Sequence, residues 1–552
     1  MTPHQPVPTP LPAWFSPLLV IGLAAGAAAA GLGNGFAYDD VHLVLRNDRV
    51  HDLARLPALF AESYWPPVPL GPDGRLYRPL TTAAFAVQWA LGGGGPLAFH
   101  LVSAGLYVLV SLLVLALARR ILPLGPATAA AALFAIHPLH TEVVGNVVGQ
   151  GELLAAGWGL LALVLALDGE RCGWSARRTA GMLGALTAAL LSKEHAVVVP
   201  FLFPVLLLAG GGRRALLRES AGKAAVLMAG VLILYLSLRH AVLGGISGDL
   251  MHPAWRGEPV ATRWLTMLAT VPTLLRLLVW PAHLQADYSP RELQVVHTLS
   301  GSALVGLGLL LGLGASAFAA RRQPAVPAGL AWVALAFLPA ANLLLPTGVL
   351  LAERTLFLPS VGACLVVGGV AAGIGRRFPD RGAVRLGWGA LVVGVIFLGA
   401  SRSISRLPVW RDNRALFSQT VRDAPESYWA WRNYAGDLVL RDQPDSARTA
   451  YERSLALFDR DPNVMDDFAG LERREGRCER SVPLLRRALA LDPGRDLTAA
   501  RLVGCLVTLG AFDAARVEAQ LRLRRGREEF RSLLLMVDSV ERARQLTPPP
   551  TP

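Results

Sequence analysis

Several short polar stretches interrupt this apolar sequence, and each carries side chains that handle protons or phosphates. Tyr38-Asp39-Asp40 follows the first apolar run. Adjacent carboxylates there suit a general base or a cation site, so a divalent metal at Asp39 and Asp40 is one expectation and a solvated loop pair the plain alternative. Arg78, in Tyr77-Arg78-Pro79-Leu80, offers a guanidinium that matches phosphate oxygens. His137, His140 and Glu142 lie in FAIHPLHTE, and Glu152 follows in VVGQGELLA. Lys193 and Glu194 lie in SKEH, and Glu353 and Arg354 in LLAERTLFLPS.

Depth makes these residues informative. If a helix starts near Arg120 to Pro126, His137 is reached after about 11 residues, or about 16 Å, whereas a span needs about 30 Å. Thr179 through Leu191 covers about 20 Å before Ser192 and Lys193 appear. Irregular polar backbone at that depth persists only where it lines a cavity or is buried in protein. Ionisable residues there are functional candidates. The structural alternative is mutual pairing, Lys193 with Glu152 and Arg354 with Glu142. Three such clusters on one side favour a shared, outward-facing polar pocket.

The elements that must position them are membrane helices. The chain has 552 residues, 53% hydrophobic and 17% charged, where a soluble protein carries about a quarter charged. Runs such as Trp14 to Leu32 and Ala303 to Ala320 read as spans. The expected spans fall near 13–33, 97–117, 126–142, 150–167, 179–195, 196–210, 224–243, 299–320, 325–346, 356–374 and 386–401, about eleven in all. The arginine pairs at 119–120, 177–178, 213–214, 321–322 and 376–377 are placed in the cytoplasm, which puts the N-terminus inside and the C-terminus outside. Residues 261–281 carry Arg263, Pro272 and Arg276 and are read as a helix at the outer interface or packed on the bundle; the alternative, a further span, would put the repeats in the cytoplasm. The formal net charge of +13 comes with no recognition helix or aromatic-basic platform, so no nucleic-acid partner is expected. Residues 1–12 are Pro-rich, lack the basic region of a signal peptide and read as disordered, with the first apolar run an uncleaved anchor. Cys172, Cys364, Cys478 and Cys505 form no metal spacing. A Cys478–Cys505 disulfide requires an extracytoplasmic location.

From 402 the apolar runs stop and a 34-residue period begins, which is the tetratricopeptide period. Tyr451, Leu485 and Ala519 share one register, and Ala447, Ser481 and Ala515 another. Residues 402–545 therefore read as an α-solenoid, with Phe530 to Gln545 as its polar-faced cap and 546–552 as a disordered tail. Such a groove presents a peptide-binding surface, or serves as a folded stalk. The fold class is all-α: a polytopic bundle over 13–401 followed by the repeats.

Together these motifs resemble the protein O-mannosyltransferases that join a multi-span membrane half to tetratricopeptide repeats. The resemblance runs in order through YDD at 38–40, YRPL at 77–80, FHLV at 99–102, LFAIHPLHTEVV at 133–144, VVGQGELLA at 147–155, SKEH at 192–195, DYS at 287–289 and AERTLFLPSVG at 352–362. It implies the GT-C architecture and transfer of a sugar, mannose in this family, from a polyprenyl-phosphate carrier to protein Ser or Thr hydroxyls outside the cytoplasm. The location implied is a cell membrane, with the repeats extracytoplasmic and periplasmic in a Gram-negative cell. The partners implied are the bilayer, the lipid-linked donor and an acceptor peptide on the repeats. By that resemblance Asp39 or Asp40 is the base. Arg78, Lys193 and Arg354 meet the phosphate with His137 or His140 as donors. Glu142 and Glu152 orient the cations or the acceptor, and Glu194 and Glu353 belong to the same substrate-binding set. Ser103 and Tyr107 stand where the pattern has Asn and His, and Gln150 stands where it has Arg, which removes a phosphate or acid partner near Glu152. The alternatives are the same chemistry on a glycolipid or polysaccharide, or an inactive membrane scaffold.

Overall fold

The computed structural model describes residues 12–67, 76–245, 251–378 and 382–546. Residues 1–11 and 547–552, within the two ends expected to be disordered, lie outside the described residues. Among the described residues every regular element is a helix, and extended backbone pairs only in an isolated bridge between Pro290 and Leu293.

Seven helices are long and apolar enough to cross a membrane: Pro96–Ala118, Val147–Cys172, Glu194–Leu216, Glu219–Leu243, Gly301–Ala319, Glu353–Arg377 and Gly382–Trp410. The other four expected spans correspond to shorter helices: Phe15–Ala29, Leu124–Ala135 and Ala325–Ala340, which are apolar, and Ala176–Ser192. Their breaks have local causes. Leu124–Ala135 stops short of Pro138, whose ring cannot continue a helix, and His137 Nδ1 accepts from the Leu139 N–H to cap the next turn. Lys193 is extended, at φ −159° and ψ 141°, and ends Ala176–Ser192.

Large apolar side chains face outward along the bundle: Val226 and Ile233 on Glu219–Leu243, Leu311 and Phe318 on Gly301–Ala319, and Phe397 on the last helix. Water penalises such a surface and hydrocarbon does not. Inside, small residues let backbones approach. A Cβ built on Gly329 would meet Gly362 O at 2.5 Å, so Ala325–Phe337 and Phe357–Arg377 cross at backbone distance. Gly306 touches the Leu268 carbonyl in the same way, docking Gly301–Ala319 on Val260–Val279. Val260–Val279, the helix read as interfacial, is not among the seven. It buries Thr266, Thr270, Leu277 and Leu278, and its Trp264 Nε1 donates to Leu343 O at 3.0 Å.

Beyond Trp410 the chain becomes helix pairs. The leading helices begin at Tyr428, Pro462 and Asp496, and their partners at Pro444, Cys478 and Phe512, each set at the 34-residue period. The turns between partners hold Asp442 (φ 56°), Gly476 (φ 72°) and Gly510 (φ 75°) in the left-handed region, also 34 apart. Ala447, Ser481 and Ala515 are fully buried where paired helices touch. Cys478 and Cys505 are buried free thiols, not a disulfide.

Gly306→Leu should destabilise the protein by about 1–3 kcal/mol through overpacking against the Leu268 carbonyl. Gly308→Leu on the same helix, where a Cβ meets open space, should be tolerated. Thermal melting of both variants in detergent checks the contrast.

Candidate active site

The first outer loop is held on three sides. Asn34 Nδ2 donates to Gly145 O at 3.3 Å and Leu407 O at 3.2 Å. Tyr38 adopts φ 53°, which is unfavourable for a side-chain-bearing residue. Its N–H donates to Asn413 Oδ1 at 2.6 Å, and its ring lies edge-on to Phe417 and Trp429, with centroids 6.1 and 5.1 Å away. Asp40 is fully buried. It accepts N–H bonds from Val148 at 2.8 Å, Val147 at 3.1 Å and Ala37 at 3.3 Å. Those bonds fasten the loop to the turn that opens Gln150–Cys172.

With Asp40 fixed inward, Asp39 is turned to a half-buried position, where it makes no hydrogen bond or close ion pair with the described residues. Burial pushes its carboxyl up to about 6, against the pull of Arg354, Arg78 and Lys193 and with Glu142 adding to the rise. Burial pushes Asp40 up to about 7, while its three N–H partners draw it down.

The three cations around Asp39 each hold a carboxylate. Arg78 grips Glu194 through Nε–Oε2 at 2.9 Å and Nη2–Oε1 at 2.5 Å, and its guanidinium lies 4.9 Å over the Tyr64 ring. Lys193 Nζ is 2.7 Å from Glu152 Oε1, with His195 Nδ1 at 3.6 Å from Oε2. Glu142 takes the Arg354 main-chain N–H at 2.9 Å and its Nη1 as well. The pairs Lys193–Glu152 and Arg354–Glu142 are the ones the structural alternative named. Even so, they form one cluster: Arg78, Glu194 and Arg354 all act electrostatically on Lys193.

Three expected roles need correction. His140 is 1% exposed, with Nδ1 on the Tyr107 hydroxyl and Nε2 on Ser360 Oγ, both at 2.9 Å, so it is a core residue and offers a phosphate nothing. His137 has both ring nitrogens on backbone, Nε2 at 3.1 Å from Leu278 O and Nδ1 accepting from Leu139. Glu353, 3% exposed, accepts from the Gln285 N–H at 2.5 Å and the Tyr288 hydroxyl at 2.8 Å, and so anchors the 285–288 loop instead of a substrate. The Asp39/Asp40 pair does not fit a shared divalent cation either, because Asp40 directs both oxygens at N–H groups.

Two of the departures from the family pattern, Gln150 and Ser103, meet one another. Gln150 is fully buried, exchanges amide hydrogen bonds with Gln88 at 2.7 and 2.9 Å, and donates to Ser103 Oγ at 3.1 Å. No carboxylate joins this group, so a neutral amide suits it where an arginine would be stranded. Tyr107 holds His140.

Beside the charged cluster is an apolar cavity of 1450 Å³ among Val260–Val279, Gly301–Ala319, Ala325–Phe337, Phe357–Arg377 and Gly382–Arg406, lined by Leu133, Leu278, Leu356, Val367, Leu398 and Arg402 among others. Leu356 is two residues from Arg354.

Residues of the motifs at 38–40, 77–80, 133–144, 147–155, 192–195 and 352–362 thus meet in space, and comparison with known proteins agrees with the resemblance those motifs carry. The chain is similar to the protein O-mannosyl-transferases. Over 504 residues it is 27% identical to protein O-mannosyl-transferase TMTC3 of Mus musculus, covering 86% of this chain and 53% of that protein. It is 25% identical to TMTC4 of Homo sapiens over 473 residues, covering 75% of this chain and 62% of that one. The chain thus spans between half and two thirds of these curated relatives. No family model matches. Among solved structures, archaeal oligosaccharyltransferase AglB from Archaeoglobus fulgidus, in complex with an inhibitory peptide and a dolichol-phosphate, aligns over 72% of this chain and 56% of that one at 14% identity and a TM-score of 0.43.

The motifs that carry the resemblance to the O-mannosyl-transferases left several supporting residues unread. Asn413, Trp429 and Gln88 carry no charge and fall outside the quoted motifs, and Arg402 reads as an ordinary boundary charge. Glu152→Gln should leave Lys193 buried without a counter-charge and lower stability by about 3 kcal/mol or more, measured as the shift in thermal melting in detergent.

Proposed function

We propose that the protein is a membrane glycosyltransferase that takes a sugar, mannose in the first instance, from a polyprenyl-phosphate carrier and gives it to a protein Ser or Thr hydroxyl. The observation that carries this reading is Asp39: an unpaired, half-buried carboxylate raised to about 6 by burial, set among three fixed cations and beside an apolar cavity. The names of the curated relatives supply the reaction class.

In the reaction the acceptor hydroxyl oxygen bonds to the anomeric carbon, and the bond from that carbon to the phosphate oxygen breaks. The electron pair leaves with the polyprenyl phosphate. The hydroxyl proton passes to Asp39, whose raised pKa makes it a better proton acceptor than an ordinary aspartate. Arg78, Lys193 and Arg354 are held rigid by their carboxylates and present preorganised N–H donors to the departing phosphate. The repeat array is the acceptor-binding surface; its first helices touch the residue before Asp39.

Orientation follows from the two ends of the bundle. Arg120 pairs with Asp168, Arg171 reaches the Arg120 carbonyl, and Arg218 reaches the Glu170 carbonyl, so these arginines share one end. Asp39 lies with the repeats. The positive-inside tendency then favours an extracytoplasmic site and repeat array. Cys172, exposed beside the arginine end, should resist a membrane-impermeant maleimide in intact cells, while a cysteine placed at the exposed Glu529 should react from outside. The reverse pattern would invert the topology.

Asp39→Asn should lower transfer to peptide by about 100-fold or more. A base must be deprotonated, so the wild-type rate should fall as pH drops through about 6 and level off above it. Purified protein assayed with polyprenyl-phosphate mannose and Ser/Thr peptides checks both. Wild-type transfer by the Asn variant would sink the assignment, and transfer only to lipid acceptors would move the acceptor class.

A further inference from the structure

We propose that Arg402 holds the phosphate of the lipid carrier at the head of the 1450 Å³ cavity; this rests on the lipid-linked donor proposed above. The cavity walls are apolar side chains, and no aspartate or glutamate is among the lining residues, whereas Arg402 is. The Nε of Arg402 is buried without a hydrogen-bond partner among the described residues. A buried guanidinium N–H left unsatisfied is unfavourable and is relieved by an incoming anion. The nearby groups do not satisfy it. His137, which also lines the cavity, is engaged with backbone on both nitrogens. In contrast, Arg78, Lys193 and Arg354 are already neutralised by Glu194, Glu152 and Glu142.

The position fits a head group. Ser403, the next residue, donates to Ile136 O at 2.9 Å and so ties this part of the last helix to the His137 turn. That turn packs on the Glu353–Leu356 turn, which carries Arg354 toward Asp39. A sugar phosphodiester carries one negative charge, which one guanidinium matches, and its long apolar tail matches the walls. The ligand class is therefore a polyprenyl phosphate with its tail between Val260–Val279 and Phe357–Arg377.

Binding to the full chain in nanodiscs tests this with three probes: a polyprenyl phosphate, the corresponding polyprenol and phosphatidylglycerol. The wild type should prefer the phosphate over the alcohol by about tenfold or more, and phosphatidylglycerol should compete poorly. Arg402→Ala should abolish that preference while leaving polyprenol binding unchanged, which also reports an intact cavity. Arg402→Lys should keep part of the preference. Ala331→Trp, which fills the cavity from its apolar wall, should weaken both polyprenyl probes. An Arg402→Ala variant that keeps the full phosphate preference overturns the site. So does phosphatidylglycerol competing as well as polyprenyl phosphate, which would make the cavity a bulk-lipid cleft. Arg402-dependent binding without sugar transfer to any acceptor would keep this site and remove the glycosyl-transfer reading. Asp39-dependent transfer with Arg402-independent binding would do the opposite.

Discussion

The carboxylate of Asp40 accepts main-chain N–H groups from Ala37, Val147 and Val148 in a fully buried setting, and the geometry of the site depends on that joint. It locks the first outer loop to the start of the helix that bears Glu152. Glu152 then fixes Lys193, which the helix break at Ser192 delivers in extended conformation. Because adjacent side chains diverge, burying Asp40 leaves Asp39 directed into the charged cluster. One aspartate is the fastening and its neighbour is the free acid.

Electrostatic balance is the second constraint. Removing an ion from water is expensive unless a counter-ion is fixed beside it, and the three cations here obey that rule through Glu194, Glu152 and Glu142. Asp39 is the surplus acid in this group. Burial pushes its carboxyl up to about 6, against the pull of Arg354, Arg78 and Lys193. The pairs also keep the cations from collapsing onto Asp39, which stays without a direct partner among the described residues.

Much of this was legible in the sequence because depth and period are simple arithmetic. Lys193 and Arg354 stood out as charges inside apolar runs, and their partners Glu152 and Glu142 were nameable from the same logic. The 34-residue period foretold where Ala447, Ser481 and Ala515 are buried. What could not be read was competition for hydrogen bonds. His140 looks like a donor in a motif, yet Tyr107 and Ser360, distant in sequence, occupy both its nitrogens. Glu353 looks like a substrate-binding residue, but the 285–288 loop folds onto it. Gln150 looked like a loss until Gln88 and Ser103 closed around it. Each of these depends on which long-range neighbour arrives, and spacing along the chain carries no record of that.

Tyr38 has a consequence for how such a chain can change length. Its strained backbone is retained by Asn413, Phe417 and Trp429, all in the first two α-helices after Trp410. Those helices are structurally part of the membrane half. Additional units stacked beyond Phe530–Leu546 would lengthen the array without disturbing Tyr38, whereas an insertion between Trp410 and Tyr428 would shift the register of the residue next to the free acid. Growth is thus polar: open at the distal end and closed at the proximal one.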